Sequence, residues 1–537
     1  MRLIIKDFLS QLKEKDELDF LLCDVLFQMG YTTENKPKTG VRQYGVDIRA
    51  HKGEEILLCV IKQGNLNRSN WNDGQNAVRQ SLDEIHDCYL NQIVGQDRNK
   101  KLHIVVASNG MIDEAVRPNW EGYRNQNTNW DGISVILDFW NIDKITELVQ
   151  RNLCNEYLFD SNIQTLLRRS LYFIDVGNYI NKYYEQVIDT LLAEINESDS
   201  TKIIKKKLST VHLACQMIAR FASEKKLYKY SISVSEYLII RYWKYIVENN
   251  FFEKSMYVER LVLFLADYDK WSYEYYESIK YCCEIENRIP LYNIVEQRVV
   301  LYEVLGYLVT YAYYLSYERT ISEKSKNKFQ EVLNCIIELL YNYPQWQYPP
   351  YDININIISM LYRLLERSGR TKELFALLEQ QVFTLVNYYT LFQKYPSPVD
   401  TFDDAINIEM ELPSADYDCS AFWGNIIQWL VVLEQNKIYS NIQSFLSSSL
   451  ANVTKCTWFL RASDELKLYD RYAMNTAGDG FAIDPVTSFD ELKETVKFVM
   501  EQYSNERFSF DEYCFESLEF IICRYYGYLA RVKREKV

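Results

Sequence analysis

Glycine and proline are scarce in this chain of 537 residues. It contains 17 glycines and 10 prolines, each under half of their usual shares of roughly 7% and 5%. Because these residues form most tight turns, their scarcity predicts few turns and long secondary-structure elements. The 44 tyrosines contribute to an aromatic content of 15%, and aromatic side chains suit helix-on-helix interfaces. The composition therefore favours a mostly helical protein.

Three kinds of segment are missing from the sequence. The 12 cysteines form no C-x-x-C pair, which favours reduced thiols over a disulfide framework or a zinc site. No stretch approaches the roughly 18 uncharged apolar residues of a membrane span, and the first residues lack the apolar segment of a signal peptide. No G-x-x-x-x-G-K-[ST] loop supports ATP hydrolysis. We therefore expect a soluble, cytoplasmic protein without a membrane partner.

The charge balance is acidic. The chain has 60 Lys and Arg against 74 Asp and Glu, a formal net charge of -14. Residues 1–150 alone hold 18 basic and 22 acidic side chains. This balance excludes a protein coated in basic surface for bulk nucleic-acid binding. Affinity for phosphate would depend on a local basic groove, a partner or an activated assembly.

Amphipathic segments dominate the chain from about residue 155, with apolar residues at intervals of three and four. No signature repeats at a fixed period, so we expect a large all-α region of stacked, irregular helix pairs. It would comprise a helical repeat-like part over residues 153–395 and a C-terminal helical part with irregular loops over 396–537. Within these parts, Gly369 and Thr371 predict a corner between two helices. The Pro- and Asp-rich residues 395–420 predict a long loop, and residues 474–485 a surface turn.

The first 152 residues alternate between helix and strand and predict an α/β domain with a mixed sheet flanked by helices. A tight hairpin through Gly53 would place residues 45–50 and the strand 56–62 side by side. A helix with an apolar stripe precedes the hairpin and ends at Gly30. The other predicted elements are a helix over 77–90, strands over 102–107 and 133–138, and a helix over 143–149.

The order of these elements and their residues resembles the restriction-endonuclease-like PD-(D/E)XK superfamily, and within it the Mrr-like branch. The resemblance covers roughly residues 10–150, about a quarter of the chain. Its pieces are an acid on the first helix, Met29-Gly30-Tyr31, Gly45-Val46-Asp47, an apolar strand ending in Lys62, Val105-Val-Ala-Ser-Asn-Gly110 and Leu137-Asp-Phe-Trp-Asn-Ile-Asp143.

The resemblance implies hydrolysis of phosphodiester bonds with Mg²⁺ or Mn²⁺. Asp47 would be the central metal ligand and Asp19 a supporting ligand. A metal held by carboxylates polarises a phosphate and lowers the pKa of a bound water. Lys62 would orient that water and neutralise the developing charge.

The sequence departs from the family pattern two residues before the lysine. The family has Glu, Asp or Gln there, whereas this chain has Val60, which binds no metal. In some members of the superfamily the missing carboxylate comes from the following helix, and Glu84 is the candidate, with Gln80 one turn earlier on the same face. Otherwise the site is degenerate, and the domain binds nucleic acid without cutting it.

Several side chains near this pattern are candidates for nucleic-acid contact. Arg68 and Arg79 would contact phosphate, and Trp71 would stack on a base unless it packs within its own domain. Gln63 and Gln80 complete the predicted binding set.

Two functions follow from these residues. The first is a Mg²⁺-dependent endonuclease acting on nucleic acid, with DNA preferred, whose helical body regulates or docks it through a protein partner or a second copy. That architecture resembles bacterial antiviral effectors. The second is a non-catalytic interaction or nucleic-acid-sensing protein with a degenerate nuclease head, and Val60 is the residue that favours it.

Overall fold

The structure is a computed structural model, and its described residues form two compact units, Met1–Tyr230 and Ser231–Val537. The first unit contains the α/β region with the three helices that follow it, and the second is largely helical. The described residues are 2–35, 45–73, 77–89, 100–152, 159–177, 182–196, 198–286, 288–289, 293–318, 323–470, 478–486, 488–503, 506–513 and 515–533.

A mixed six-stranded sheet forms the centre of the first unit, as the alternation of elements predicts. Its order is β1-β2-β3-β4-β6-β5. Strand β2 pairs antiparallel with β1 and with β3. Strands β3, β4 and β6 are parallel to one another, and β5 is an antiparallel edge strand beside β6. The strands are β1 Thr32–Asn35, β2 Ile48–Lys52, β3 Glu55–Lys62, β4 Lys101–Ser108, β5 Asn129–Trp130 and β6 Ile133–Trp140.

Helices cover both faces of this sheet. Between α1 and α2 lies a π-helical turn, Glu14–Leu18, and a second such turn, Ile85–Tyr89, extends α4; Leu90 of the predicted helix lies outside the described residues. The helices of the unit are α1 Arg2–Ser10, α2 Asp19–Gln28, α3 Arg68–Asn72, α4 Val78–Glu84, α5 Arg117–Gln126, α6 Ile142–Asn152, α7 Ser161–Asp175, α8 Tyr183–Ala193 and α9 Thr201–Glu224.

The side chains of β3 alternate between two apolar cores. Ile56, Leu58 and Val60 join the core that α3, α4 and α5 close on one face. Leu57 and Cys59 are buried on the opposite face, where α2 and α6 pack on the sheet. A strand buried on both faces reads as a continuous apolar run, which is why residues 56–61 identify β3 from sequence alone.

Helix α9 packs on α1 within the first unit. The Ser209 hydroxyl donates to Asp7 Oδ2 at 2.5 Å. Lys206 Nζ lies 2.6 Å from Glu17 Oε1, in the turn that joins α1 to α2. These contacts attach the helices after residue 152 to the α/β region.

His103 links three strands of the sheet. Its Nδ1 lies 2.9 Å from Glu55 Oε1 on β3, and its Nε2 lies 2.9 Å from Asp138 Oδ2 on β6. The Tyr31 hydroxyl donates to the same Glu55 oxygen at 3.0 Å. Burial lowers the pKa of His103, but the two carboxylates outweigh it, so that this pKa lies above its ordinary value.

The second unit consists mainly of packed helices, as the amphipathic periodicity predicts. Gly369 follows α14 with φ +75°, and Thr371 begins α15, so the predicted corner is present. The helices are α10 Tyr228–Glu248, which begins in the first unit, α11 Ser255–Glu284, α12 Ile294–Glu318, α13 Glu323–Asn342, α14 Ile355–Arg367, α15 Thr371–Phe392, α16 Phe402–Glu409, α17 Ala421–Val432, α18 Asn436–Ser448, α19 Glu465–Leu468, α20 Phe489–Gln502, α21 Ser509–Glu512 and α22 Ser517–Tyr526.

Two predictions for this region need correction. Residues 395–420 are not one long loop, because they include α16, whose start is capped by the Thr401 side chain accepting from the Asp404 N–H. The region is also not all-α. A three-stranded sheet in the order β7-β8-β9 lies among the helices, formed by β7 Cys419–Ser420, β8 Thr454–Phe459 and β9 Asp479–Ala482. Strand β9 falls in residues 474–485, of which 474–477 lie outside the described residues.

One helix among the described residues is long and apolar enough to cross a membrane. It covers Ile294–Tyr317. A stretch of 18 residues within it has a mean hydropathy of 1.2, and 83% of that stretch is buried inside the protein. Burial to this extent is that of a core helix in a soluble protein. The finding agrees with the expectation of a soluble chain.

Candidate active site at the end of β3

Asp47 is fixed against the end of β3 by two hydrogen bonds. Its backbone N–H donates to the Cys59 carbonyl at 2.9 Å. Its carboxylate oxygen Oδ2 accepts the Ile61 N–H at 2.7 Å. Because Lys62 follows Ile61 directly, the hairpin of β2 and β3 brings Asp47 and Lys62 together at the carboxyl end of β3.

Burial and four nearby groups affect the pKa of the Asp47 carboxyl. Burial raises the pKa of the Asp47 carboxyl above its ordinary value, and the Ile61 N–H and the Lys62 ammonium lower it in part. Glu14 raises the same pKa and Lys15 lowers it. The charges of one further carboxylate, Glu14, and of two ammonium groups, Lys62 and Lys15, therefore act on the Asp47 carboxyl.

Glu14 reaches this site from the π-helical turn between α1 and α2. Its Oε2 accepts the backbone N–H of Gln63 at 3.3 Å, and the Gln63 side chain donates to the Leu12 carbonyl at 3.2 Å. The two contacts hold the turn against the residue that follows Lys62. The sequence reasoning missed Glu14 because nothing local relates it to Gln63, which is 49 residues away.

Asp19 occupies a different environment. It is the first residue of α2, only 4% exposed, and its Oδ1 accepts the N–H of Phe20 at 2.8 Å. Glu14 is an acid from the helical side of the site whose charge raises the pKa of Asp47. The metal-binding role of Asp19 stays a prediction.

Val60 lies in the apolar core, which explains why no acid stands at its position. Its side chain is 1% exposed and belongs to the cluster that includes Trp71 and Leu82. A carboxylate there would be desolvated without a partner. The site therefore has no acid at this position of the strand.

Glu84 is the last residue of α4, and its side chain is half-buried. Helix α4 closely approaches the segment before β2 at Gly45, where an added Cβ would lie 2.3 Å from the Ser81 carbonyl oxygen and the backbone has φ +80°. Only glycine allows this contact. This contact brings α4 close to the segment before β2. Glu84 lies one turn beyond Ser81 on the same helix, and the role of Glu84 as the displaced carboxylate stays a prediction.

Asn109 and Ser108 form a rigid base beside the site. The Asn109 amide donates to the Leu9 and Leu12 carbonyls at 3.1 and 2.9 Å, and its oxygen accepts the Gly64 N–H at 2.8 Å. The Ser108 hydroxyl donates to the Gly64 carbonyl at 2.5 Å. The end of β4 thereby joins α1 to the loop after β3. This connection is the structural role of the segment that ends at Gly110.

The side chains predicted to contact nucleic acid differ in their solvent exposure. Trp71 needs correction as a base-stacking residue, because it is 2% exposed and its ring packs edge-on against Trp120 and Tyr123. Arg68 at the start of α3 is exposed, as are Arg79 and Gln80 on α4. Gln63 is exposed as well, although its side chain already bonds Leu12.

The donor set at this site fits a hard divalent cation. Mg²⁺ is usually bound by one or two carboxylates, with waters and substrate phosphates completing its coordination. Asp47 and Glu14 supply two such carboxylates. No group of three or more His, Cys, Asp or Glu side chains in the described part of the chain is arranged to hold a metal. The metal-binding roles of Asp19, Asp47 and Glu84 stay predictions.

Comparison with protein-family models, with curated proteins and with solved structures finds no match to this chain. Its function is therefore inferred from the residues of the site.

Proposed function

We propose that the first unit is a restriction-endonuclease-like, Mrr-like nuclease head that hydrolyses phosphodiester bonds in nucleic acid, with DNA as the preferred substrate. The observation that carries this proposal is the placement of Asp47 beside Lys62 at the carboxyl end of β3, with Glu14 added from the turn before α2. The mixed sheet with an antiparallel hairpin followed by parallel strands supports it.

Asp47 would be the central ligand of Mg²⁺ or Mn²⁺. The Ile61 N–H occupies its Oδ2, which leaves Oδ1 for the cation. The metal would supply Lewis-acid polarisation of the phosphate and a lowered pKa for a bound water. Glu14 would be the second ligand, in place of the acid that Val60 displaces.

Lys62 would neutralise charge that develops on the phosphate. Its half-buried side chain takes part in no hydrogen bond or ion pair within the described ranges, so its ammonium is available to a substrate. A compact ammonium close to a metal site suits orientation of the attacking water. Glu84 is the alternative second ligand, as the sequence predicts.

The helical second unit would regulate or target the head through a protein partner or a second copy, as in an antiviral effector. We propose a cytoplasmic location, in accord with the buried apolar helix and with the cysteines of the described residues, which form no disulfide there.

The second candidate function is a non-catalytic protein that binds nucleic acid or a protein partner. One observation favours it, namely that Val60 is part of the core and a complete triad of acidic ligands is not found in the described residues. Under this alternative Asp47 would have only a structural role, through its bond to Ile61.

The experiment is cleavage of plasmid DNA, single-stranded DNA and RNA with Mg²⁺ or Mn²⁺. Asp47→Asn and Lys62→Ala should each lower the rate by at least roughly a hundredfold, the scale of losing one charge-stabilising group. Lys101→Ala is the matched control for Lys62→Ala, because Lys101 is exposed at the opposite end of the same parallel strand pair.

Glu14→Gln and Glu84→Gln are compared in the same assay. Loss of cutting in Glu14→Gln alone identifies the second ligand that we propose. Loss in Glu84→Gln alone identifies the alternative ligand. Cutting that Asp47→Asn leaves intact contradicts the proposed function, and so does a wild-type protein that cuts none of the three substrates with either metal.

A further inference from the structure

Four lysines occupy the first two turns of α9. They are Lys202, Lys205, Lys206 and Lys207, and no Asp or Glu lies between Thr201 and Thr210. The acidic balance of the chain makes such a basic segment unusual, and nucleic-acid affinity in this protein requires a local basic surface of this kind.

Three of these lysines, Lys202, Lys206 and Lys207, line a groove together with the connection between α1 and α2. The groove has a volume of about 350 Å³ and is lined from one side by Gln11, Lys13 and Glu17, and from the other by Lys202, Lys206 and Thr210. We call it the lysine groove. The ion pair between Lys206 and Glu17, at 2.6 Å, holds its two sides together.

The lining of the groove includes four lysines, Lys13, Lys202, Lys206 and Lys207, and two acids, Glu17 and Glu194, so its charge balance is positive. Lys206 is paired with Glu17, and Lys207 with Asp199 at 2.6 Å. Lys13 and Lys202 are exposed, and neither forms an ion pair with any residue in the described part of the chain. The groove therefore presents one free ammonium group from each side.

The lysine groove borders the candidate active site. Glu17 in the groove and Glu14 at the site belong to the same five-residue turn, Glu14–Leu18. Lys15 lies between them and acts electrostatically on Asp47. A polyanion bound by Lys13 and Lys202 would thus continue past Lys15 towards Lys62.

We propose that the lysine groove binds the phosphate backbone of the nucleic-acid substrate and leads it to Asp47. This inference rests on the proposed function for the identity of the substrate. Flexible lysine side chains on both sides of a groove contact phosphates without reading bases, so the surface adds affinity and position but no sequence preference.

The test is a titration of labelled DNA with the full chain, followed by fluorescence anisotropy. The DNA is a single strand of 20 nucleotides or a duplex of 20 base pairs. The titrations contain EDTA, which prevents turnover, and are repeated at several salt concentrations. Lys13→Ala with Lys202→Ala should reduce the slope of log affinity against log salt by about 1.4 for a single strand and about 1.8 for a duplex. Affinity in 0.1 M salt should fall by roughly tenfold or more.

Two variants control this result. Lys324→Ala with Lys326→Ala removes two exposed lysines from the first turn of α13 and should leave the slope unchanged. Lys13→Arg with Lys202→Arg keeps both charges and should keep the wild-type slope. Melting curves of all variants show whether each one is folded.

The possible outcomes separate this inference from the proposed function. Salt-dependent binding that the Lys13 and Lys202 substitutions weaken, without metal-dependent cutting, retains the groove and removes the nuclease. Cutting that depends on Asp47 while these substitutions change neither binding nor slope overturns the groove alone. A wild-type chain that binds neither DNA overturns the groove as well.

Discussion

Asp47 retains one oxygen for a ligand because the backbone of β3 occupies the other. The Ile61 N–H bonds Oδ2, burial raises the pKa of the carboxyl, and Lys62 lowers it in part. A buried carboxylate held beside an ammonium is a common feature of functional sites, because the two effects adjust its protonation. Among single residues, Asp47 therefore carries the strongest indication of function in this chain.

His103 makes the stability of the first unit depend on pH. Its pKa is raised above 6.5 by Asp138 and Glu55, and the pKa of Asp138 is lowered below 3.8 by His103. Tyr31 bonds Glu55, and Arg124 and Lys144 act on Asp138. The stabilisation that His103 gives to the first unit is therefore fully present below the ordinary histidine pKa. It is lost as pH rises through the raised pKa of His103. The contribution of Asp138 is lost as pH falls below its ordinary pKa.

We expect the melting temperature of wild type to decline between pH 6 and pH 9 by about 2 to 4 °C for each kcal/mol lost. His103→Gln should melt at a lower temperature near pH 6 and show a flatter decline. His51→Gln, at a histidine that is 38% exposed beside Glu34, is the control and should keep the wild-type profile. A His103→Gln variant with the full wild-type decline would assign the pH dependence to another group.

The packing of strand β3 explains why a valine stands at position 60. Val60 faces the apolar core that α4 closes, and only at Lys62 does the strand leave that core. Val60→Glu should therefore lower the free energy of unfolding by about 3 to 5 kcal/mol, the scale of an uncompensated buried charge. It should not increase metal-dependent cleavage.

Urea unfolding measures this effect. Val60→Ile is the control: it adds one methylene to the packed core without adding a charge and should cost about 1 to 3 kcal/mol. A Val60→Glu protein of wild-type stability with faster cleavage would show that this position faces the metal site and not the core.

Periodicity and turn residues predict part of the first unit, whereas α1, β1, α3, α5 and β5 were not predicted. The hairpin of β2 and β3, the apolar strands β4 and β6 and the end of α2 at Gly30 follow from local patterns. The placement of Glu14 beside Gln63 does not, because tertiary packing alone relates residues 49 positions apart. The same limit applies to Trp71, whose burial depends on Trp120 and Tyr123 from another helix.

In the second unit, helical periodicity predicts the long helices but not the small sheet. Strands β7 and β9 contain only two and four residues, too few for an alternating pattern to be visible. Helix α16 was missed because Asp403 and Asp404 read as loop residues, whereas acidic residues in the first turn after a capping threonine also mark a helix start.

On the scale of the whole molecule, α9 packs against the α/β region and belongs to the same compact unit. The Ser209 bond to Asp7 and the Lys206 pair with Glu17 attach α9 to the first turns of the chain. A fragment ending at Tyr230 should therefore melt cooperatively. A fragment ending at Asn152 should melt at a lower temperature, because the α1 surface that α9 covers would be exposed.

Circular dichroism during heating compares the two fragments with the full chain. A fragment ending at Asn152 that melts at the same temperature as the longer fragment would show that α7 to α9 add nothing to the stability of the α/β region. The lysine groove would then be a surface attached to the head and not part of it.

The central claim is that Asp47 and Glu14 hold one divalent cation beside Lys62, and calorimetric titration of the full chain with Mn²⁺ tests it most directly. Wild type should bind Mn²⁺. Asp47→Asn and Glu14→Gln should each weaken binding by at least roughly tenfold, the smallest loss reported for disturbance of a metal's surroundings. Glu84→Gln should bind as wild type does. Binding that survives Asp47→Asn, or that is lost in Glu84→Gln but not in Glu14→Gln, would contradict the account.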